Sequence, residues 1–262
     1  MTIAFTPRRA AAGLLTAALL VPLAACGDED GGTKNAGGEG TKTELTVLAA
    51  ASLTDVFRTA GAAYEKAHPG TTVTFSFAGS QDLAAQVKQG APADALVTAD
   101  EKTMDGLKGD TGTPSVIAKN RLVIATGKGN PQHIKDLRDL AKSDLKVVLA
   151  APEVPVGRYS KAILDKQHVD VQPVSQEPNV RAVLSKVELG EADAGIVYKT
   201  DIAAADGKAE GIDIPDAQNA IAAYPAATLK TSEHADAAAA FVRWLGGAEA
   251  QKILADAGFQ KP

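Results

Sequence analysis

The sequence has one cysteine, Cys26, one tryptophan and 4% aromatic residues in 262. With one cysteine, neither an internal disulfide nor a cysteine-rich metal cluster can form. The histidines, His68, His133, His168 and His234, are scattered, and none stands at metal-ligand spacing. Four tyrosines, widely separated, are too few to cluster round a ferric ion. Basic residues are outnumbered, 27 Lys and Arg against 32 Asp and Glu. No basic run points to nucleic acid, and no basic amphipathic helix points to a lipid surface. Enzyme signatures are also missing. Gly127-Lys128-Gly129 lacks the Gly-x-x-x-x-Gly-Lys-Ser/Thr spacing of a phosphate loop. Ser143-Asp144-Leu145-Lys146 has the Ser-x-x-Lys spacing of penicillin-interacting enzymes without their Ser-Asp-Asn and Lys-Thr-Gly motifs. Spacing alone nominates no pair of catalytic carboxylates.

The first 25 residues read as a targeting segment. Arg8 and Arg9 give it a positive start, and Ala10 to Leu20 form an apolar stretch too short to span a bilayer in the mature protein. Leu23-Ala24-Ala25-Cys26 resembles a lipobox, which implies cleavage before Cys26 and a diacylglycerol thioether on its sulfur. An ordinary signal peptide with a chance cysteine is the other reading. After Cys26, a tether to residue 43 is rich in Gly, Asp, Glu, Lys and Thr and has almost nothing apolar to bury. Folding is expected from Glu44, leaving about 219 residues for one large domain or two lobes. Without residues 1–25 the balance is 25 basic against 32 acidic, a net charge of −7. Any anion bound here must be held by local dipoles, against the overall field.

From Glu44 onward, β-rich apolar runs alternate with helical patterns, which predicts a mostly parallel α/β sheet. Strands are predicted at Leu45–Leu48, Thr72–Phe77, Ala95–Thr98, Arg121–Ala125, Lys146–Ala150 and Ala194–Tyr198. Helices are predicted at Ser52–Ala67, Ser80–Gln89, around Glu101–Leu107, Gly157–Lys166, Val180–Leu189, Ala235–Leu245 and Ala248–Ala257, with a helical turn at Asp136–Lys142.

Two short stretches place a serine where a strand gives way to a helix: Ala49-Ala50-Ala51-Ser52-Leu53-Thr54-Asp55 and Phe77-Ala78-Gly79-Ser80. Ser52 has Asp55 three positions on, the spacing of a capping box. A helix start carries unpaired N–H groups and partial positive charge, so it can hold an anion without Lys or Arg. Ligands of parallel sheets bind beyond the carboxyl ends of the strands, where both serines are expected. A third stretch, Gly195-Ile196-Val197-Tyr198, ends another strand on a tyrosine hydroxyl.

Taken in order, the three stretches resemble the periplasmic molybdate-binding proteins of ABC transporters, from about Glu44 to the C-terminus. The resemblance implies a two-lobed, periplasmic-binding-protein-like α/β fold, each lobe a sheet flanked by helices, with the ligand cleft between them. Lobe I would comprise 44–121 with 223–262, and lobe II 122–222. It implies that Ser52, Ser80 and Tyr198 give hydroxyls to molybdate or tungstate. Val156, in Val154-Pro155-Val156-Gly157, and Val180, after Asn179, would give backbone N–H groups. Molybdenum would thus be bound as its oxyanion, with no cofactor. Arg181, one turn into its helix, reads as an ion pair at the surface or behind the site rather than as a direct contact. Family members often carry a further serine at Gly79, absent here. The implied partners are a membrane permease and its ATPase, served by a monomer lipid-anchored outside the cell membrane. Another tetrahedral oxyanion such as sulfate or phosphate is the alternative, and a ligand-free surface lipoprotein a third reading. The last would have no reason to gather Ser52, Ser80 and Tyr198.

Overall fold

The computed structural model describes residues 42–262; the targeting segment, Cys26 and all but the end of the tether lie outside the described residues. The chain enters on β1 (Thr43–Ala50), buried from Val47 to Ala50. A 3-10 turn, Ala51–Leu53, leads into α1 (Thr54–Ala67), which turns Val56, Phe57, Ala60, Gly61 and Tyr64 inward at helical spacing. β2 (Thr71–Ala78), α2 (Ser80–Lys88), β3 (Ala95–Val97) and α3 (Glu101–Asp105) follow. β2 and β3 both lie parallel to β1, on either side of it. Gly90, at φ 77°, supplies the left-handed turn that stops the chain after α2.

β4 (Ser115–Gly127) is the longest strand, and its partners change midway. Ser115–Arg121 pairs antiparallel with β9 (Ile221–Thr228). Leu122–Gly127 pairs antiparallel with β7 (Ala194–Tyr198) and β8 (Ala209–Asp213). β5 (Val147–Ala150) joins β7 and β6 (Ser175–Glu177), parallel to both. The sheet order is β2-β1-β3-β9-β4-β7-β5-β6, with β8 also on β4. Parallel strands therefore form the outer parts of the sheet, while antiparallel β4 and β9 join them. Between these strands run α4 (Pro155–Lys166), α5 (Val180–Glu188) and α6 (Lys199–Ala204). Two final helices, α7 (Ala235–Leu245) and α8 (Ala248–Asp256), pack on β9 and β1 and on α1 and β4 respectively.

The few aromatic side chains are concentrated under α7. Tyr64 meets Phe241 edge-on at 5.0 Å and Trp244 at 5.2 Å, and Phe75 meets Phe57 at 5.6 Å. Such pairs contribute about 0.5–1.5 kcal/mol beyond the area they bury.

Three differences from the sequence reading have physical causes. β4 starts six residues before the predicted Arg121, because Asn120 interrupts the apolar pattern yet is buried and bonded to Thr200 Oγ1 at 2.8 Å. β9 was not predicted, since Pro225 and four alanines argue against a central strand. Opposite Pro225 the register slips between Val116 and Ala118, a bulge that accommodates the missing N–H. Finally, Ser52 does not cap α1. It sits inside the 3-10 turn, α1 has no side-chain cap bond, and Asp55 turns to Arg181 instead. β6, β8 and α6, all short, also escaped the sequence reading.

Candidate functional site

β1, β2, β5, β6 and β7 end round a single small cavity, and a helical segment begins near each end. The lining includes Ser52, Ser80, Val156, Val180 and Tyr198, so all five residues nominated from the sequence are brought together. The cavity measures about 10 Å3, roughly the room of one water molecule. Among its lining residues none is charged. The remaining walls are mostly Ala, Val and Gly, small enough for close approach to the backbone.

Each helix start presents its donors for a local reason. Pro155 occupies the first position of α4, where a missing N–H costs nothing, and fixes φ for the turn. Val156 follows it, in the first turn, where no helical carbonyl is available to its N–H. Gly157 lets this turn sit against the end of β5: a Cβ there would lie 2.0 Å from the Ala151 oxygen. Asn179 caps α5 by accepting the Ala182 N–H at 3.0 Å, so the cap does not claim the N–H of Val180, itself a lining residue.

The three hydroxyls are all buried. Ser80 Oγ accepts the Ala99 N–H at 3.0 Å. Ser52 Oγ lies 3.0 Å from Tyr224 Oη. Tyr198 Oη, fully buried, has no hydrogen-bond partner among the described residues. A buried unpaired hydroxyl carries a desolvation penalty of about 1–3 kcal/mol, which a bound acceptor would remove. Burial above all, with nearby Tyr224, Tyr159, Asp201 and Asp100, pushes the Tyr198 pKa well above its ordinary value. Its hydroxyl therefore stays a donor through the physiological range.

Charge is present only behind this lining. Arg158, on α4, donates through Nε to Asp100 Oδ2 at 3.0 Å and through Nη2 to Thr103 Oγ1 at 2.7 Å. Arg181, on α5, pairs with Asp55 at 2.8 Å and with buried Asp201 at 2.9 Å. Gln81 Nε2 donates to the Pro178 carbonyl at 2.8 Å, passing over Gly79, where any Cβ would come within 2.5 Å of that oxygen. A side chain at Gly79 would therefore collide with the contact between the two walls. The sequence reading missed Tyr224, Asn120, Asp100 and Arg158, which reach the site only through pairings distant along the chain.

Residues 45–260 match the model of the bacterial extracellular solute-binding protein family, and the chain belongs to that family. It is a solute-binding protein rather than an enzyme. The molybdate-binding protein ModA of Mycobacterium tuberculosis is 37% identical over 253 residues, covering 95% of this chain and 97% of that protein. Among solved structures, the periplasmic molybdate-binding protein of Azotobacter vinelandii has a TM-score of 0.71 at 23% identity, covering 83% of this chain and 99% of that one. The sulfate-binding protein SubI of M. tuberculosis has a TM-score of 0.75 at 22% identity, covering 84% and 87%. The fold is common to both kinds of binder.

Proposed function

We propose that this protein captures molybdate, and tungstate with it, outside the cytoplasm and delivers it to an ABC importer. The observation that carries the reading is the buried, unpartnered Tyr198 hydroxyl in an uncharged cavity that also holds Ser52 and Ser80. In this reading the three hydroxyls and the N–H groups of Val156 and Val180 donate to the oxyanion. Hydrogen bonds to charged groups contribute about 1.5–3 kcal/mol each, so these five together are of the scale that sub-micromolar affinity needs after ordering costs. The likeness to ModA favours molybdate over other oxyanions.

The change of partners along β4 supports a division into lobe I, 44–121 with 223–262, and lobe II, 122–222, joined by β4 and β9. A tetrahedral oxyanion exceeds the present cavity, so entry requires the two walls to separate and close again by hinge motion. The lipobox-like Leu23-Ala24-Ala25-Cys26 supports anchoring by lipid at Cys26 on the outer face of the cell membrane. A permease and an ATPase would complete the importer, with the binding protein a monomer.

Capture of another tetrahedral oxyanion is the second reading, favoured by the likeness in fold to a sulfate-binding protein. Calorimetric titration with molybdate, tungstate, sulfate and phosphate separates the two. Tight one-to-one binding of the first two alone supports the molybdate reading. Equally tight sulfate or phosphate binding moves the protein to another transporter, and silence toward all four rejects anion capture.

A further inference from the structure

Behind Ser52, outside the cavity lining, stand Tyr224 on β9 and Asn120 on β4. Both are buried, and neither is nominated by the sequence patterns. Tyr224 Oη is 3.0 Å from Ser52 Oγ and 3.5 Å from Asn120 Nδ2. The orientation of the Asn120 amide is fixed at both ends. Its oxygen accepts the Arg121 N–H at 2.9 Å, so its NH2 must face Thr200 Oγ1, at 2.8 Å, and Tyr224. An amide NH2 can donate but cannot accept. The Tyr224 proton therefore has one acceptor among its two partners, Ser52 Oγ. Once that oxygen accepts from Tyr224, the hydrogen of Ser52 is free to donate into the cavity that Ser52 lines.

The same logic holds across the cavity. Ser80 Oγ accepts from the Ala99 N–H, so its hydrogen is free to donate inward. Tyr198 Oη has no partner among the described residues, so the protein leaves its direction to the ligand. We propose that Asn120 and Tyr224 form a donor-orienting relay which fixes Ser52 as a hydrogen-bond donor, and that this relay sets the selectivity of the site for fully deprotonated oxyanions. The inference rests on the anion-capture reading and deepens it. Tyr224 is a positioning residue: it acts through Ser52. A hydrogen phosphate ion brings a proton that needs an acceptor, and the relay withdraws Ser52 from that role, whereas molybdate and sulfate bring only acceptors.

The test compares the protein with its Tyr224→Phe, Asn120→Asp and Ser52→Ala variants, by calorimetry with molybdate and with inorganic phosphate near pH 7.5, where most phosphate keeps one proton. Without the Tyr224 hydroxyl, Ser52 is free to turn and accept. With aspartate at 120, the Tyr224 proton goes to the new carboxylate, Ser52 donates to Tyr224, and a lone pair faces the cavity. Each of these two variants is expected to lose about tenfold in molybdate affinity, the scale of one hydrogen bond to a charged group. Each is also expected to narrow the molybdate-to-phosphate ratio by at least about tenfold. Adding Tyr224→Phe to Ser52→Ala should change that ratio no further, because the relay acts through the serine. A role in packing alone would weaken both anions together and leave the ratio unchanged, which overturns the relay while anion capture stands. If Tyr224→Phe fails to fold, Asn120→Asp, nearly isosteric, decides between the same two outcomes. Silence of the unaltered protein toward molybdate removes the function and the relay together.

Discussion

Arg181 Nη1 stands 2.8 Å from Asp55 Oδ2, an ion pair that ties the start of α5 to the first turn of α1. The same guanidinium holds Asp201 at 2.9 Å through Nε, and Asp201 Oδ2 in turn accepts the Tyr198 N–H at 3.0 Å. One side chain thus connects both cavity walls to the strand end that carries the tyrosine. Asp201 is fully buried, and Arg181 is a quarter exposed.

The buried carboxylate predicts an unusual pH dependence. Burial raises the Asp201 pKa from 3.8 to about 6, against the opposing pull of Arg181. Between these values the folded protein holds a proton that the unfolded chain has released. The contribution of Asp201 to stability is therefore complete below about pH 4 and is lost as pH rises to about 6, by roughly 3 kcal/mol. Urea unfolding across pH 4–7 should show this slope, and Asp201→Asn should flatten it.

Removing the Tyr198 hydroxyl should separate binding from stability. Because Oη has no partner among the described residues, Tyr198→Phe is expected to leave the melting temperature of the ligand-free protein unchanged or higher. Oxyanion affinity should fall by about 1.5–3 kcal/mol. In the unaltered protein, affinity should stay level up to pH 9, since the hydroxyl keeps its proton there. A drop in stability with no change in affinity would make Tyr198 a packing residue.

Ser80→Ala behaves differently. The substitution removes an inward donor and also strands the Ala99 N–H, which the serine oxygen now accepts. Affinity should drop by at least about 1 kcal/mol, and the stability of the ligand-free protein should drop by about 1–3 kcal/mol. Calorimetry and thermal melting read the two effects separately.

Gly157→Ala probes the approach of α4 to the end of β5. The new Cβ would lie 2.0 Å from the Ala151 oxygen and 2.6 Å from the Ala150 oxygen, both backbone atoms that cannot swing aside. Destabilisation of at least about 1–3 kcal/mol is expected, with weaker oxyanion binding as the Val156 N–H is displaced. An unchanged melting temperature would show that the loop before α4 yields freely.

Ser52 and Ser80 were legible in the sequence because strand-to-helix junctions carry local signals, whereas Val156, Val180 and Tyr198 were singled out by the family resemblance. Both serines follow a strand directly and are marked by the alanines before Ser52 and by Gly79. The residues behind them carry no such signal. Tyr224 lies 172 positions from Ser52, in a strand disguised by Pro225. Asn120 looks like a break in an apolar run until Thr200 and Tyr224 are seen around it. Arg158 and Asp100 are 58 positions apart, and nothing in either local sequence announces the other. Local chemistry can be read residue by residue, whereas a pairing becomes visible only when the sheet sets its register.

The uncharged lining also determines how cargo can leave. If an oxyanion is captured as proposed, no cation among the lining residues has to be neutralised to release it. In that reading the hold is a set of hydrogen bonds, whose normal donor–acceptor reach ends at about 3.2 Å. Parting the walls by an ångström or two would break the contacts of one wall at a stroke. Unloading is then a mechanical event, available to any partner able to prise the cleft apart.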